Sequence, residues 1–246
     1  MAARRALVRA VYEVGTLVAP CPSVALRIAR WRGHGVPIGE DTDLVIEGYP
    51  RSANSFTVAA FEAAQTEPVR VAHHTHAPAN VIVAVRRGIP ALVLIRGPED
   101  AVVEFVLLKP ELTVRQALRG WVRFYEPLLP FRERFVAATT DEVLTELAAV
   151  IARVNDRFGT SFIPFEPTEE SLGVVREEIG AYWEGRVGPG LPLVGRTHGA
   201  EEGRDAEREL LRTAFRAPGL ERMRLVAAHL HETLTNGLPG RAGARG

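Results

Sequence analysis

Short apolar runs alternate with helical segments through the middle of the chain, and this alternation most constrains the fold. Residues 44–46 (Leu-Val-Ile) enter a Gly-Tyr-Pro turn at residues 48–50, and helical spacing follows over residues 58–65. Ala91–Ile95 is a second, continuous apolar run, with Pro98 at a first helical position behind it. Strands that alternate with helices build a parallel sheet that is covered on both faces. We therefore predict an α/β fold, a three-layer α/β/α domain with a mostly parallel central sheet.

The rest of the chain continues this pattern. Further predicted strands cover residues 69–72 and 135–138, and Asp141 is the predicted N-cap of a helix that runs to residue 158. Such sheets bind ligands at the carboxyl ends of their strands, where both strand-to-helix turns lie. The other predicted helices cover residues 79–87, 113–129, 206–215 and 220–234, and a Gly- and Pro-rich loop covers residues 185–203.

Length and composition favour one compact domain. The 246 residues are 46% hydrophobic and have a formal net charge of zero, so charge gives no argument for nucleic acid, and no nucleic-acid partner is expected. Cys21 is the only cysteine, which excludes an internal disulfide and a cysteine-based zinc site and predicts a cytoplasmic location. We divide the chain into a basic N-terminal helical extension, residues 1–40, and an α/β domain, residues 41–246.

The first 35 residues are basic and amphipathic. They contain one acidic residue, Glu13, and no apolar run reaches the ~20 residues of a membrane span. Two interpretations stay open. The segment is either a helix that packs on the domain or a helix that lies on an anionic membrane surface, which would make the protein membrane-peripheral. Its basic residues are Arg4, Arg5, Arg9, Arg27, Arg30 and Arg32.

The turn after the first predicted strand has the composition of an anion-binding loop. Between Gly48 and the next helix, its backbone N–H groups and the helix N-terminus would surround a negatively charged ligand. A Walker-type nucleotide loop needs a lysine before its Ser or Thr, but Asn54 stands there before Ser55. An ordinary ATPase is therefore disfavoured, and the cation of this loop is Arg51.

The loop resembles the 5′-phosphosulfate-binding loop of PAPS-dependent sulfotransferases. Residues 50–55 read Pro-Arg-Ser-Ala-Asn-Ser, and five of the six positions agree with the family pattern Pro-(Lys/Arg)-Ser-Gly-(Thr/Asn)-(Ser/Thr). Ala53 replaces the usual glycine, which matters where that residue needs a positive φ or a very close phosphate. The resemblance implies a fold like that of P-loop nucleoside triphosphate hydrolases. It also implies a donor-binding loop that consists of Arg51, Ser52, Ala53, Asn54, Ser55 and Phe56.

A histidine-rich segment follows the second predicted strand, where the same family has a Lys-Thr-His-x-Pro pattern. Residues 74–78 read His-Thr-His-Ala-Pro, so His76 matches the family's base and His74 replaces its lysine. Sulfuryl transfer needs a group that removes a proton from the acceptor, and neutral imidazole does this near pH 7. Two other interpretations stay open. One is a metal site that includes His73, although no cysteine or nearby carboxylate completes its ligands. The other is a set of ordinary hydrogen-bonded histidines.

The third predicted strand ends in a segment similar to the family's Leu-x-Arg-Asn-Pro-x-Asp-x-x-x-Ser pattern, whose arginine and serine hold the 3′-phosphate. Arg96 matches that arginine, and a guanidinium group binds phosphate in a bidentate manner. Glu104 replaces the serine. It either turns away, pairs with an arginine such as Arg96, or repels a 3′-phosphate. The family also closes on this phosphate with a late basic loop, for which Arg196 is a loose counterpart.

The resemblance covers residues 44–105 in order. It implies transfer of a sulfuryl group from the co-substrate PAPS (3′-phosphoadenosine 5′-phosphosulfate) to a hydroxyl or amine of a small-molecule, glycan or lipid acceptor, with no metal. Arg51 and His76 would be the catalytic residues. The main alternative is a non-catalytic or repurposed nucleotide-binding module, which the departures at Ala53, His74 and Glu104 favour, and a nucleotide-dependent phosphotransferase is a further one. Aromatic residues that either line the acceptor pocket or pack in the core are Trp121, Tyr125, Tyr182 and Trp183.

Overall fold

The structure, a computed structural model, describes residues 2–33, 35–187, 204–236 and 238. The strands in these ranges are β1 (Leu44–Gly48), β2 (Val71–His73), β3 (Ala91–Ile95) and β4 (Val136–Thr139). The helices are α1 (Ala2–Val18), α2 (Pro22–Arg32), α3 (Asn54–Ala64), α4 (Pro78–Arg87), α5 (Pro98–Leu108), α6 (Val114–Tyr125), α7 (Thr140–Thr145), α8 (Leu147–Phe158), α9 (Glu169–Val187), α10 (Asp205–Arg216) and α11 (Glu221–Thr235). Short 3₁₀ helices cover Glu126–Arg134 and Pro218–Leu220.

The four strands form one parallel sheet in the order β2–β1–β3–β4. Ile46 of β1 pairs with His73 of β2 on one side and with Leu92 of β3 on the other. Leu92 also pairs with Val136 of β4. Because all four strands point the same way, their carboxyl ends meet at one edge of the sheet, where ligands of such folds bind.

Helices cover both faces of this sheet, and alternate residues of each strand enter two different cores. In β3, Leu92 and Leu94 pack with residues of α3, α7 and α8, whereas Val93 and Ile95 pack with residues of α4, α5 and α6. The predicted three-layer α/β/α class with a parallel sheet is therefore confirmed. The connection from β1 to α3 has the strand–loop–helix form of a P-loop.

Several local predictions are confirmed and one is wrong. β3 has the predicted bounds, and α4 ends at Gly88, whose φ of 73° is a left-handed C-cap that glycine favours. Asp141 is not the N-cap of the helix after β4. Thr139 caps α7 instead, because Thr139 and Glu142 form a reciprocal capping box, and α7 and α8 are separate helices.

Two helices differ from the sequence prediction. α6 ends at Tyr125, before the predicted end at residue 129, because Pro127 and Pro130 lack the N–H groups that would continue it. The chain goes on as a 3₁₀ helix. The sequence pattern does not predict α9, whose apolar residues form no clear stripe, but this helix packs on α3.

The two N-terminal helices pack on the α/β domain. Glu13 of α1 accepts hydrogen bonds from Arg119 at 2.9 Å and Arg123 at 2.7 Å, both on α6. Leu26 of α2 is buried in the core that contains α4. In the part of the chain that the structure describes, no helix is long and apolar enough to cross a membrane.

Tyr12 fills the contact between α1 and α6, directly above Gly120. Its hydroxyl lies 3.2 Å from the Tyr49 hydroxyl, and its ring lies 5.8 Å from that of Phe105. A Cβ at Gly120 would overlap the Tyr12 hydroxyl and would stand 2.8 Å from Tyr12 Cζ. Because glycine has no side chain, Tyr12 of α1 can pack directly against α6 at this position.

We expect Gly120→Ala to lower the free energy of unfolding by about 1–3 kcal/mol, the usual cost of overpacking, although alanine is the better helix former. Urea unfolding measures the change. In a Tyr12→Ala background the same substitution should be neutral or stabilise by up to about 1 kcal/mol, because the overlap is gone. A stabilising effect in the otherwise unchanged protein would contradict this packing of α1 on α6.

Candidate functional site

The loop after β1 is attached to the end of β3 through Tyr125. The Tyr125 hydroxyl donates to the Leu94 carbonyl at 2.7 Å and accepts from the Tyr49 N–H at 3.3 Å. Gly48 lies so close to β3 that a Cβ there would stand 2.7 Å from the Leu94 carbonyl oxygen. The Asn54 side chain donates to the Tyr49 carbonyl at 3.2 Å and closes the loop. The ends of β1 and β3 thus hold the loop in one conformation.

Two residues of this loop have left-handed backbones, Arg51 with a φ of 73° and Ala53 with a φ of 61°. Ala53 therefore meets the condition under which the missing glycine matters, since this region costs a non-glycine residue about 1–2 kcal/mol. The turn starts α3 at Asn54, and the N–H groups of Asn54, Ser55 and Phe56 lie in its first turn. N–H groups in a first helical turn have no acceptor within the helix, so an anion can accept from them.

Other groups of the predicted donor loop have partners within the protein. The Ser52 N–H donates to the Tyr49 carbonyl at 3.2 Å, and Ser52 is fully buried. The Phe56 ring packs edge-on against Phe165 at 6.3 Å. Phe56 can thus contact an anion only through its backbone N–H, and Ser52 contributes to the shape of the turn.

Three arginines and one carboxylate lie beside the loop. Arg96, at the end of β3, donates from Nη1 to the Arg51 carbonyl at 3.0 Å. Glu104 of α5 lies 3.8 Å from Arg51 Nη2 and 2.9 Å from Arg208 Nε. Burial lowers the pKa of Arg51, Glu104 raises it, and the like charges of Arg96 and Arg208 lower it again. The four side chains together have a net formal charge of +2, which favours the binding of an anion.

Glu104 therefore pairs with arginines, one of the outcomes left open, but its partners are Arg51 and Arg208. Arg208 begins a series of ion pairs between α10 and α5, which continues with Arg212 and Asp100 at 3.5 Å and with Arg216 and Glu99 at 2.8 Å. Arg208 was not among the residues predicted from the sequence. The arginines of α10 recur every four residues and α5 contains three acidic residues, a pattern that indicates ion pairs between the two helices. Arg196 lies outside the described residues.

His76 lies at the turn from β2 to α4, next to the end of β1. Its Nδ1 donates to the Gly48 carbonyl at 2.9 Å, and a carbonyl can only accept. In the neutral ring the proton is therefore on Nδ1 and the lone pair is on Nε2, the form that a general base needs. His74 and His76 both have left-handed backbones, with φ of 57° and 49°. Such strain is typical of residues that a functional site holds in place.

His74 belongs to a hydrogen-bonded chain that reaches α3. His73 Nδ1 lies 2.6 Å from His74 Nδ1, and His74 Nε2 lies 3.0 Å from Ser55 Oγ. The ring of Tyr182, on α9, covers His74 at 4.8 Å. Among the described residues no group of three or more His, Cys, Asp or Glu side chains is arranged to hold a metal ion, and these histidines do not form one.

Glu47 is the residue of this region that the sequence analysis missed most clearly. It is fully buried on β1, and its carboxylate accepts from the Thr75 N–H at 2.8 Å, the Thr75 hydroxyl at 2.6 Å, the His76 N–H at 3.2 Å and Asn80 Nδ2 at 2.9 Å. Burial raises the pKa of Glu47 to about 7, and these hydrogen bonds partly oppose that rise. One buried carboxylate thus organises the turn that carries His74 and His76.

A cavity of about 70 Å³ opens beside His76, between α1 and α6. Tyr12 and Thr16 of α1, Phe124 of α6 and Pro50 of the anion loop line it together with His76. The cavity therefore borders the candidate base and Pro50, the residue before Arg51. Its walls are mainly aromatic and aliphatic, which suits an apolar group that carries a hydroxyl or amine.

Three of the four aromatic residues considered for an acceptor pocket lie elsewhere, and the side chain of Trp183 is outside the described part of the chain. Trp121 and Tyr125 are fully buried in the core. Trp121 donates from Nε1 to the Arg96 carbonyl at 3.2 Å, so it holds the backbone at the end of β3 from the core side. Tyr182 packs on the histidines and does not line this cavity.

Comparison with known proteins gives likeness only among solved structures. No protein-family model matches the chain, and no curated protein matches it. Among solved structures, the chain is similar to the crystal structure of mouse sulfotransferase SULT7A1 complexed with PAP. The identity is 12% and the TM-score is 0.43, over 78% of this chain and 90% of the mouse chain. A likeness of this extent carries no argument, and the functional case rests on the loop geometry.

The pKa of Glu47 predicts how stability changes with pH. A folded-state pKa of about 7, above the ordinary value of 4.5, means that folding favours the neutral carboxyl. This contribution is complete below about pH 4.5 and is lost as the pH rises through 7, a change of about 2–4 kcal/mol. The free-energy difference between wild type and Glu47→Gln should therefore be larger at pH 5 than at pH 8 in urea unfolding.

The matched control is Glu170→Gln, at an exposed position on α9. This variant measures what the loss of an exposed carboxylate contributes at each pH. A difference for Glu47→Gln that stays the same at both pH values would show that folding does not change the proton affinity of Glu47.

Proposed function

We propose that this protein transfers a sulfuryl group from PAPS to a hydroxyl or amine of an apolar acceptor. One observation carries the proposal: His76, with its basic nitrogen fixed as Nε2, is hydrogen-bonded to the last residue of the strand that leads into the anion loop. The candidate base is thus hydrogen-bonded to the same stretch of backbone that leads into the candidate anion site. The motif order along the chain, from Arg51 through His76 to Arg96, supports the same assignment.

In this proposal each group has a defined role. Arg51 and the first-turn N–H groups of α3 hold the phosphosulfate and stabilise the negative charge that develops on the leaving phosphate oxygen. His76 Nε2 takes the proton from the acceptor while the new S–O or S–N bond forms and the S–O bond to the phosphate breaks. The products are the sulfated acceptor and PAP (3′-phosphoadenosine 5′-phosphate), and the proton remains on His76 until it passes to water.

Arg96 and Arg208 are the proposed ligands of the 3′-phosphate. Glu104 occupies their side of the loop and already pairs with Arg208 at 2.9 Å. Its charge is offset by Arg51 and Arg208, so a dianion still meets an excess of positive charge. Arg208 thereby takes the place that the sequence resemblance gave to a late basic residue.

A second candidate function is a nucleotide-binding module without transfer activity. The observation that favours it is the occupation of Arg51 and Arg208 by Glu104, because a carboxylate inside the site competes with a bound phosphate. Both functions require that PAP binds. Only the transferase requires His76 as a base.

Calorimetric titration with PAP, AMP and ATP tests the anion site. We expect PAP to bind more tightly than AMP, and Arg51→Ala to weaken PAP by about 2–4 kcal/mol through loss of a charge-assisted contact. Arg86→Ala, at an exposed position on α4, is the control and should leave PAP affinity unchanged. Preference for ATP, or unchanged affinity in Arg51→Ala, would remove this loop from a sulfotransferase site.

Substitution of His76 tests the base. His76→Asn keeps a side-chain donor for the Gly48 carbonyl and tolerates the left-handed backbone, but it has no basic nitrogen. We expect PAP affinity to stay within about twofold and transfer from labelled PAPS to a panel of phenols, alcohols and amines to fall by about 10²–10⁴. His229→Asn, on exposed α11 surface, is the matched control. Full transfer by His76→Asn would assign the proton to another group.

A further inference from the structure

α1 packs on the protein through both apolar and polar residues, and it also presents a second set of apolar residues to solvent. Val8 and Tyr12 are its apolar contacts with the core. On the inner side, Glu13 pairs with Arg119 and Arg123 of α6, and Arg9 donates from Nε to the Glu111 carbonyl at 2.6 Å. A surface helix of a globular protein usually has one apolar stripe, which faces the core, and a polar outer face. The apolar residues on the outer face of α1 therefore have to be explained by what lies outside the domain.

The outer face of α1 contains a continuous apolar stripe. Leu7 is 65% exposed, Val14 60% and Leu17 60%, and Val11 lies beside them at 43%. These positions recur every three or four residues, so their side chains form one stripe along the helix. Large exposed apolar patches of this kind mark sites of contact with a membrane or another protein.

α2, the next helix along the chain, also carries an exposed tryptophan. Trp31 is 84% exposed, and Val24, seven residues earlier on the same helix, is 40% exposed. Tryptophan is enriched where proteins meet the boundary between lipid and water, because its ring is apolar and its N–H is polar. Residues 19–21 join the two helices, so both surfaces belong to one short segment.

The exposed charged residues of α1 and α2 themselves have one sign. Arg5, Arg27 and Arg32 are exposed. Glu13, the acidic residue among residues 2–33, faces inward and is already paired. Arginines beside an exposed apolar stripe attract anionic lipid headgroups, and each such residue near the surface adds to binding.

We propose that α1 and α2 dock this protein on an anionic membrane surface, with Leu7, Val14 and Leu17 inserted at the headgroup level and Trp31 at the interface. A second copy of the chain explains the arrangement less well. A two-fold dimer brings equivalent surfaces together, so the exposed arginines would approach one another without acidic partners in this segment. Anionic lipids supply the missing counterions. The proposal does not depend on the function proposed above.

Sedimentation of the full-length protein with vesicles tests the docking. Vesicles of phosphatidylcholine with about 30% phosphatidylserine should bind it at least tenfold more strongly than vesicles of phosphatidylcholine alone, and added salt should weaken the binding. The double variant Leu7→Ser/Val14→Ser should reduce partitioning at least tenfold. Arg5→Gln/Arg27→Gln/Arg32→Gln should reduce binding to the level of neutral vesicles.

The matched control is Leu210→Ser/Leu225→Ser, which changes two equally exposed leucines on α10 and α11. It should bind vesicles as the wild type does, and circular dichroism should show that all variants are folded. Absence of vesicle binding, or equal loss in the control, would overturn the proposal. So would a concentration-dependent dimer in light scattering that Leu7→Ser/Val14→Ser dissociates, because the occupant of the surface would then be a second copy.

Discussion

Burial of one carboxylate, Glu47, determines how the candidate site is arranged. It has no contact with solvent, and it accepts from three donors in the turn between β2 and α4 and from Asn80 at the start of α4. A buried carboxylate without such donors would be strongly destabilising, so the turn and the carboxylate require each other. His76 lies on that turn and reaches back to Gly48, the residue after Glu47. The orientation of the proposed base therefore depends on a residue of β1 that has no access to any ligand.

Backbone strain is concentrated at the same edge of the sheet. The non-glycine residues with positive φ in the described part of the chain are Arg51, Ala53, His74 and His76, all in the turns that follow β1 and β2. Each costs on the order of 1 kcal/mol, and two fully packed cores on either side of the sheet provide the stability that maintains them. Strain of this kind positions side chains where relaxed turns would not bring them together.

The sequence predicts the fold better than it predicts the site. Continuous apolar strands such as β3 and glycine-terminated helices such as α4 are local features, so their bounds and the parallel sheet can be inferred. Arg51, Arg96 and His76 follow strand ends and could also be identified. Glu47 could not, because a single glutamate in a strand gives no sign that Thr75 and Asn80 will surround it. Arg208 lies more than a hundred residues after Glu104, and only the packing of α10 on α5 brings the two together.

The carboxylate of Glu104 also affects which anions can enter the site. It is part of the protein, so it is always present beside Arg51 and Arg208 at a high effective concentration. A small monovalent ion such as chloride makes one contact and competes poorly with such a neighbour. A ligand with several phosphate oxygens can engage the first turn of α3 and the arginines together, and so displaces the carboxylate. In the proposed function, Glu104 would pair with the arginines again as PAP leaves, and this pairing would favour rapid dissociation of PAP.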